Sequence, residues 1–252
     1  MKIAIVTGAS SGMGREFARQ IDFLYNNLDE VWVIARRRER LEELGSQLSV
    51  KTRIFVGDLQ DDEVYEEIGN VLQELNPKVK MVVNAAGFGK VGNVEEISCH
   101  DQTDMIHLNC MALVHMTKLC IPYMEKESRI VNLASASAFC PQPVFSVYAA
   151  TKAFVLSFSR SLRVELAGKG ITVTAVCPGP VETEFFNVSG KKENNGMMDA
   201  VTANPKAVVK KALLDAERGK ELSVYGFSMK LCRIATKVIP HSIILKVMKL
   251  FW

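Results

Sequence analysis

Residues Met1–Gly14 read MKIAIVTGASSGMG, and the fold follows from how that stretch is punctuated. Ile3–Val6 is an apolar run of strand length, rich in β-branched residues. Gly8, Gly12 and Gly14 come next, and then REFARQIDFLYNN (15–27), which reads as a helix. A strand, a glycine-rich turn and a helix make the first half of a dinucleotide-binding unit. One glycine permits the tight turn. The others let backbone and helix approach a pyrophosphate, and the free N–H groups opening the helix face that anion. The spacing is Thr-Gly-x-x-x-Gly-x-Gly rather than Gly-x-Gly-x-x-Gly, so the cluster alone also suits an ordinary strand-to-helix turn.

The alternation continues along the chain. Strands are expected at Val31–Ala35, Arg53–Val56, Lys80–Asn84, Ile130–Ala134, Ile171–Cys177 and Leu222–Val224. Helices are expected at Arg38–Leu48, Asp61–Leu75, Asp101–Met124, Val147–Ala167 and Pro205–Arg218, each with an apolar stripe at helical spacing. Regular alternation predicts an α/β fold of Rossmann type: a doubly wound, seven-stranded parallel sheet with helices on both faces. Asn187–Asn204, rich in Gly, Lys and Asn, follows a strand end on the ligand side and is a candidate lid. Residues 1–226 are read as one cofactor-binding and catalytic domain and 227–252 as a helical tail.

Composition narrows the function classes. The chain has 252 residues, 48% of them hydrophobic and 23% charged, enough to bury the core of one domain. A net charge of +3 is too small to suggest a nucleic-acid partner. Lys2 is the only basic residue before Gly14, so no secretory signal is expected, and no apolar run reaches the length of a transmembrane helix. The six cysteines contain no Cys-x-x-Cys pair and read as reduced thiols of a cytoplasmic protein. His100, His107 and His115 share one expected helix but have no accompanying carboxylate pattern, so no metal site is assigned.

Tyr148 and Lys152 stand four residues apart near the start of an expected helix, which puts both on one face. A free phenol, with a pKa near ~10, is a poor acid–base catalyst at neutral pH, and a neighbouring cation lowers that value. Ser135 ends the fifth strand, on the carboxyl side where open α/β sheets bind ligands.

With these residues in view the sequence resembles the single-domain branch of the short-chain dehydrogenase/reductase superfamily. The resemblance rests on Thr7-Gly8-Ala9-Ser10-Ser11-Gly12-Met13-Gly14, Asp58-Leu59, Asn84-Ala85-Ala86-Gly87, Asn109, Ser135, Tyr148-x-x-x-Lys152, and Pro178-Gly179 with Thr183, in that order. It covers Lys2–Thr183 by motif and Ala203–Val224 by layout. Ala85 and Met13 depart from the commonest residues at their positions without removing a catalytic group. The resemblance implies that Tyr148 is the general acid or base, and that Lys152 holds the nicotinamide ribose and lowers the Tyr148 pKa. It implies that Ser135 binds the substrate oxygen and that Asn109 holds a water linking Lys152 to solvent. Asn84, Ala85 and Gly87 would line the path of the adenine ribose and pyrophosphate, and Asp58 and Leu59 would flank the adenine. Pro178, Gly179, Val181 and Thr183 would cover the nicotinamide, and Ser11, Gly12, Met13 and Gly14 the pyrophosphate.

Cofactor choice can be read locally. An NAD site wants a carboxylate at the end of the second strand. Here that position reads Ala35-Arg36-Arg37-Arg38. Guanidinium groups pair with phosphate dianions, so Arg36 directly, Arg37 nearby and Ser10 favour NADP(H) over NAD(H). Phe139, Val144, Phe145, Phe185, Phe186, Met197 and Met198 are weak pocket candidates that together favour a lipophilic ketone or alcohol, steroid-like or acyl-like. Two alternatives remain: a 3-oxoacyl thioester reductase of the same fold, and a non-catalytic NADP(H)-sensing regulator.

From Leu222 onward there is no Asp or Glu, while Lys230, Arg233, Lys237, Lys246 and Lys249 contribute five positive charges. Pro240 divides two short amphipathic helices, each too short to span a bilayer. They would either cap the substrate pocket or a neighbouring subunit, or rest peripherally on an anionic membrane. The two long helices, Asp101–Met124 and Val147–Ala167, carry apolar stripes broad enough to suggest a homo-oligomer, dimer or tetramer, as the resemblance also implies.

Overall fold

The computed structural model describes residues 1–185 and 202–249. Seven strands form one parallel sheet: β1 (Lys2–Thr7), β2 (Glu30–Ala35), β3 (Lys51–Val56), β4 (Lys78–Asn84), β5 (Arg129–Leu133), β6 (Thr172–Val176) and β7 (Leu222–Ser223). Their spatial order is β3-β2-β1-β4-β5-β6-β7. The chain therefore starts mid-sheet, runs outward to β3, then crosses back to β4 beside β1. That reversal opens a crevice at the carboxyl ends of β1 and β4, where Thr7 pairs with Asn84.

Strand alternation sorts the core into two layers. Ala4, Val6, Val31 and Val33 face α1 (Gly12–Leu24), α2 (Arg38–Gly45) and the helix Pro205–Glu217. Ile3, Ile5, Trp32 and Ile34 face α3 (Asp62–Leu75), a helix at Ala112–Cys120 and one at Ser146–Leu166. A period of two thus buries both sheet faces, as a parallel sheet requires. Trp32 is wholly buried, its ring tilted against Phe55 at 5.3 Å and beneath the Arg53 guanidinium at 5.6 Å.

The expected continuous helix over 101–124 is not continuous. It consists of α4 (Cys99–Ile106), a wide π turn at His107–Met111 that carries Asn109, α5 (Ala112–Cys120) and a short 3₁₀ turn. The Ala112 N–H bonds back five residues to the His107 carbonyl. Such a turn inserts one residue into the helix and occurs often at functional sites. His100 pairs with Asp104 and His115 stacks on Tyr65, and among the described residues no cluster of His, Cys, Asp and Glu could hold a metal.

Among the described residues the remaining helices are α6 (Ser146–Leu166), α7 (Pro205–Glu217), α8 (Phe227–Val238) and α9 (His241–Met248). Most of the expected lid, along with Phe186, Met197 and Met198, lies outside the described residues. Its last residues join the body of the domain: Ala203 bridges Val181, and the Asn204 side chain caps α7 by accepting from the Lys206 N–H at 2.8 Å. Among the described residues no helix is long and apolar enough to cross a membrane.

Candidate active site

A cleft of about 780 Å³ lies over the carboxyl ends of the central strands. Every residue predicted for the site lines it except Asn84 and Asn109.

The cofactor end is built by close approach. Gly8 has φ +67°, and a Cβ there would lie 2.8 Å from the Ala86 backbone. A Cβ on Gly14 would collide with the Gly8 carbonyl, so strand end and helix start can touch only through glycine. Thr7 fixes the other side, its hydroxyl accepting from the Ala85 and Ala86 N–H groups at 3.1 and 3.2 Å. Ser11 opens α1 without a side-chain cap, and the first turn holds no acidic residue. The N–H groups there and the positive end of the helix are left to an external anion, which suits a pyrophosphate.

The arginines after β2 separate in space. Arg37 donates to Ser10 Oγ at 3.2 Å and pairs with Glu184 at 3.0 Å, while Arg36 pairs with Asp58 at 3.2 Å. The Glu184 carboxyl is held below its usual range, chiefly by the Arg37 hydrogen bond. Glu184 had no sequence signal as a site residue, because its contact with Arg37 joins positions far apart in the chain. Leu59 is buried, and its carbonyl accepts from the Tyr65 hydroxyl. Thr183 closes over Gly12, where a Cβ would sit 3.4 Å from it.

Asn84 is a correction. Its side chain leaves the cleft for the interior, where Nδ2 donates to Asn132 Oδ1 at 2.8 Å and to Thr117 Oγ1 at 3.1 Å. Asn84 follows Val82 by two residues and shares its pleat face, which looks onto α5. It ties β4 to β5 and α5 and does not line a cofactor path.

At the chemical end, Ser135 leaves β5 in extended conformation, and its Oγ accepts from the Ser137 N–H at 3.1 Å. Tyr148 and Lys152 are both buried on one face of α6. The Tyr148 ring stacks on Phe145 at 4.2 Å and tilts against Phe185 at 5.4 Å. Burial pushes the phenol up to about 12, and its hydrogen bond with Ser135 pulls the other way. Burial lowers the Lys152 ammonium to about 8. The expectation that Lys152 depresses the phenol is not met in this arrangement. Its Nζ lies 5.6 Å from the ring centroid and donates to the Leu133 carbonyl at 2.9 Å, and burial sets the direction of the phenol's shift.

Asn109 works from behind the cleft. Its side chain accepts from the Phe88 N–H at 3.0 Å and donates to the Phe88 carbonyl at 2.9 Å and to Thr151 Oγ1 at 3.0 Å. Gly87 lets that clamp close, since a Cβ there would lie 2.7 Å from Asn109 Oδ1 and 3.4 Å from Lys152 Nζ. The side chain is committed to protein partners and orients the strand end that lies beside Lys152.

Of the apolar candidates, Phe145 and Phe185 line the cleft, whereas Phe139 packs into the core beside α6. Val144 holds φ +52°, a left-handed conformation uncommon for a β-branched residue, immediately before Phe145. Sequence reading missed Lys90, Cys140, Met229, Cys232 and Met248, all of which line the cleft. Lys90 could have been found from its place three residues past Gly87, beyond a strand's carboxyl end; its ammonium is shared with Asp101 at 3.6 Å. Met229 packs where a Cβ on Gly179 would lie 2.6 Å from its sulfur, so the tail covers the site.

The comparisons agree with this geometry. A family model described as short chain dehydrogenase matches residues 2–194. Sulfoacetaldehyde reductase 2 of Chromohalobacter salexigens is 36% identical over 192 residues, covering 73% of this chain and 74% of the relative. The very-long-chain 3-oxoacyl-CoA reductase of Anas platyrhynchos is 33% identical over 197 residues, covering 74% and 62%. Among solved structures, the closed form of serine dehydrogenase complexed with NADP+ superposes with a TM-score of 0.77 at 30% identity, covering 88% of this chain and 94% of that one. Motif order, cleft geometry and relatives coincide, and the chain belongs to the short-chain dehydrogenase/reductase family of oxidoreductases.

Proposed function

We propose that this protein is an NADP(H)-dependent oxidoreductase that interconverts a ketone and a secondary alcohol on a lipophilic substrate. The convergence of Ser135, Tyr148 and Lys152 at the floor of one cleft carries this reading. A bound nicotinamide supplies or accepts the hydride. The chain's own groups handle the oxygen and the proton. Ser135 donates a hydrogen bond to the substrate oxygen as negative charge grows there. Tyr148, kept protonated by burial, passes its proton to that oxygen in reduction. The phenolate left behind is held by Ser135 and by the Lys152 ammonium. In the other direction the phenolate is the base.

The preference for NADP(H) rests on Arg37, Ser10 and Arg36 around the end of β2, a set suited to a 2′-phosphate. The serine dehydrogenase neighbour solved with NADP+ supports it. Phe145, Phe185, Met229 and Met248 favour an apolar substrate over a sugar. A 3-oxoacyl thioester is the second reading, favoured by the very-long-chain 3-oxoacyl-CoA reductase among the relatives. A non-catalytic sensor would have no need of the complete Ser135, Tyr148 and Lys152 set. The protein is further proposed to act in the cytoplasm, where its six free cysteines would stay reduced, and as a homo-oligomer through α5 and α6, the latter exposing Phe154 and Val164.

NADPH oxidation over a panel of steroid-like ketones, 3-oxoacyl thioesters and small diketones tests the reading. Turnover with one class and none without substrate is the expected result. Tight NADPH binding with no turnover across the panel would leave the sensor.

A further inference from the structure

We infer that the outer face of α8 and α9 is a docking surface for an anionic lipid bilayer. The two helices are built with two unlike sides. Met229 and Cys232 of α8 and Met248 of α9 point inward and line the catalytic cleft. At about 100° per residue, the opposite side of α8 carries Phe227, Leu231, Ile234 and Val238. These four are 82%, 56%, 59% and 77% exposed, a continuous aliphatic and aromatic stripe facing outward. The stripe continues past the Pro240 break through Ile243 and Val247, both exposed. A helix that serves only as a lid would turn polar residues outward.

The border of the stripe sets its partner. Lys230, Lys237 and Lys246 each precede a stripe residue by one position, which places them along one edge. From Leu222 onward the sequence holds five lysines and arginines and no acid, so the rest of a chain of net charge +3 is net negative. None of these three lysines takes part in an ion pair among the described residues. A second copy of the same face would bring positive charge against positive charge. An anionic bilayer satisfies both features: headgroups take the lysines while the stripe sinks to the acyl boundary. The helices are too short to cross, so they lie in the plane of the surface. Delivery of lipophilic substrate from the bilayer to the cleft beneath is a consequence that rests on the proposed function; the docking itself does not.

Flotation of the full-length, cofactor-free protein tests the inference. It should float with phosphatidylcholine vesicles containing about 30% phosphatidylserine and not with pure phosphatidylcholine, because the lysines respond to surface charge. High salt should release it. Each lysine near such a surface is worth about fivefold in affinity, so Lys230→Glu, Lys237→Glu and Lys246→Glu together should weaken binding at least ~100-fold. Leu231→Ser with Ile234→Ser should abolish binding with every charge intact. All five positions are exposed, so both variants should melt with the parent. No flotation of the parent with anionic vesicles, or parental binding by the charge variant, overturns the inference. An assembly that dissociates in the Leu231→Ser, Ile234→Ser variant also overturns it, assigning the stripe to a second copy. Flotation needs no turnover, so a protein that floats but reduces nothing defeats the proposed function alone.

Discussion

Tyr148 holds its proton because burial outweighs the hydrogen bond from Ser135, the group set beside its oxygen. Tyr148→Phe keeps the ring packed on Phe145 and removes the transferable proton. Reductive kcat should fall at least ~100-fold with NADPH affinity retained, read by steady-state kinetics and cofactor titration. The pH dependence follows from the same pair. Reduction needs Tyr148 as phenol and Lys152 as ammonium. The phenol stays protonated up to about 12, and the ammonium only up to about 8. Reductive kcat/KM should therefore be level near neutrality and decline as pH rises through about 8. A profile that climbs through that range would exclude Lys152 as the cation. At the other end of the cleft, Arg37→Ala should weaken NADPH by roughly 10- to 100-fold and NADH far less, the worth of a charge-assisted phosphate contact. Equal weakening of both would make Arg37 a structural partner of Ser10 and Glu184. These single residues were legible where chemistry and spacing coincide, as in the Tyr148–Lys152 helix step. Asn84 was not, because motif order names a position and the pleat decides which way it points.

At the level of elements, the strand and helix series could be read directly, and the ends and irregularities could not. β2 begins one residue early, at Glu30, a carboxylate buried beneath Lys51, Arg53 and the Trp32 indole. An acidic residue at a strand start carries no strand signal, and its charged partners, Lys51 and Arg53, lie on the neighbouring strand. Burial pushes its pKa up, and the hydrogen bonds from Arg53, Lys51 and Trp32 more than reverse that, to about 2. A carboxyl depressed in this way stabilises the fold above its unfolded value near 4.5 and ceases to do so as pH falls toward about 2. Glu30→Gln should cost about 2 kcal/mol at neutral pH, with the gap from the parent closing in acid, measured by denaturant unfolding. A gap independent of pH would make the loss one of packing. The π turn at His107–Met111 was equally hidden, since a residue inserted into a helix leaves the apolar periodicity on either side readable as one helix.

For the whole molecule, alternation announced a parallel sheet, and the motif at the end of β1 located the ligand edge. Strand order comes from the long crossover that returns the chain from β3 past β2 and β1 to β4, which no local pattern encodes. The tail shows the opposite limit: its periodicity was plain, but only packing shows Met229 beneath Gly179. Assembly is testable at this scale. Exposed Phe154 and Val164 on α6 are expected to be covered by a second copy, giving at least twice the chain's mass in light scattering at micromolar concentration. A monomer under those conditions would leave the α5–α6 face uncovered.

The enclosure of Trp32 has an optical consequence. Sealed inside the sheet beneath Arg53 and against Phe55, its emission reports on the interior and is indifferent to whatever lands on the outside of the protein. The sequence has two tryptophans, and the other is Trp252, its last residue. Any spectral shift or quenching on addition of vesicles therefore belongs to Trp252. With Trp32 changed to phenylalanine, the basic tail would carry the protein's single indole fluorophore, a label already written into the chain.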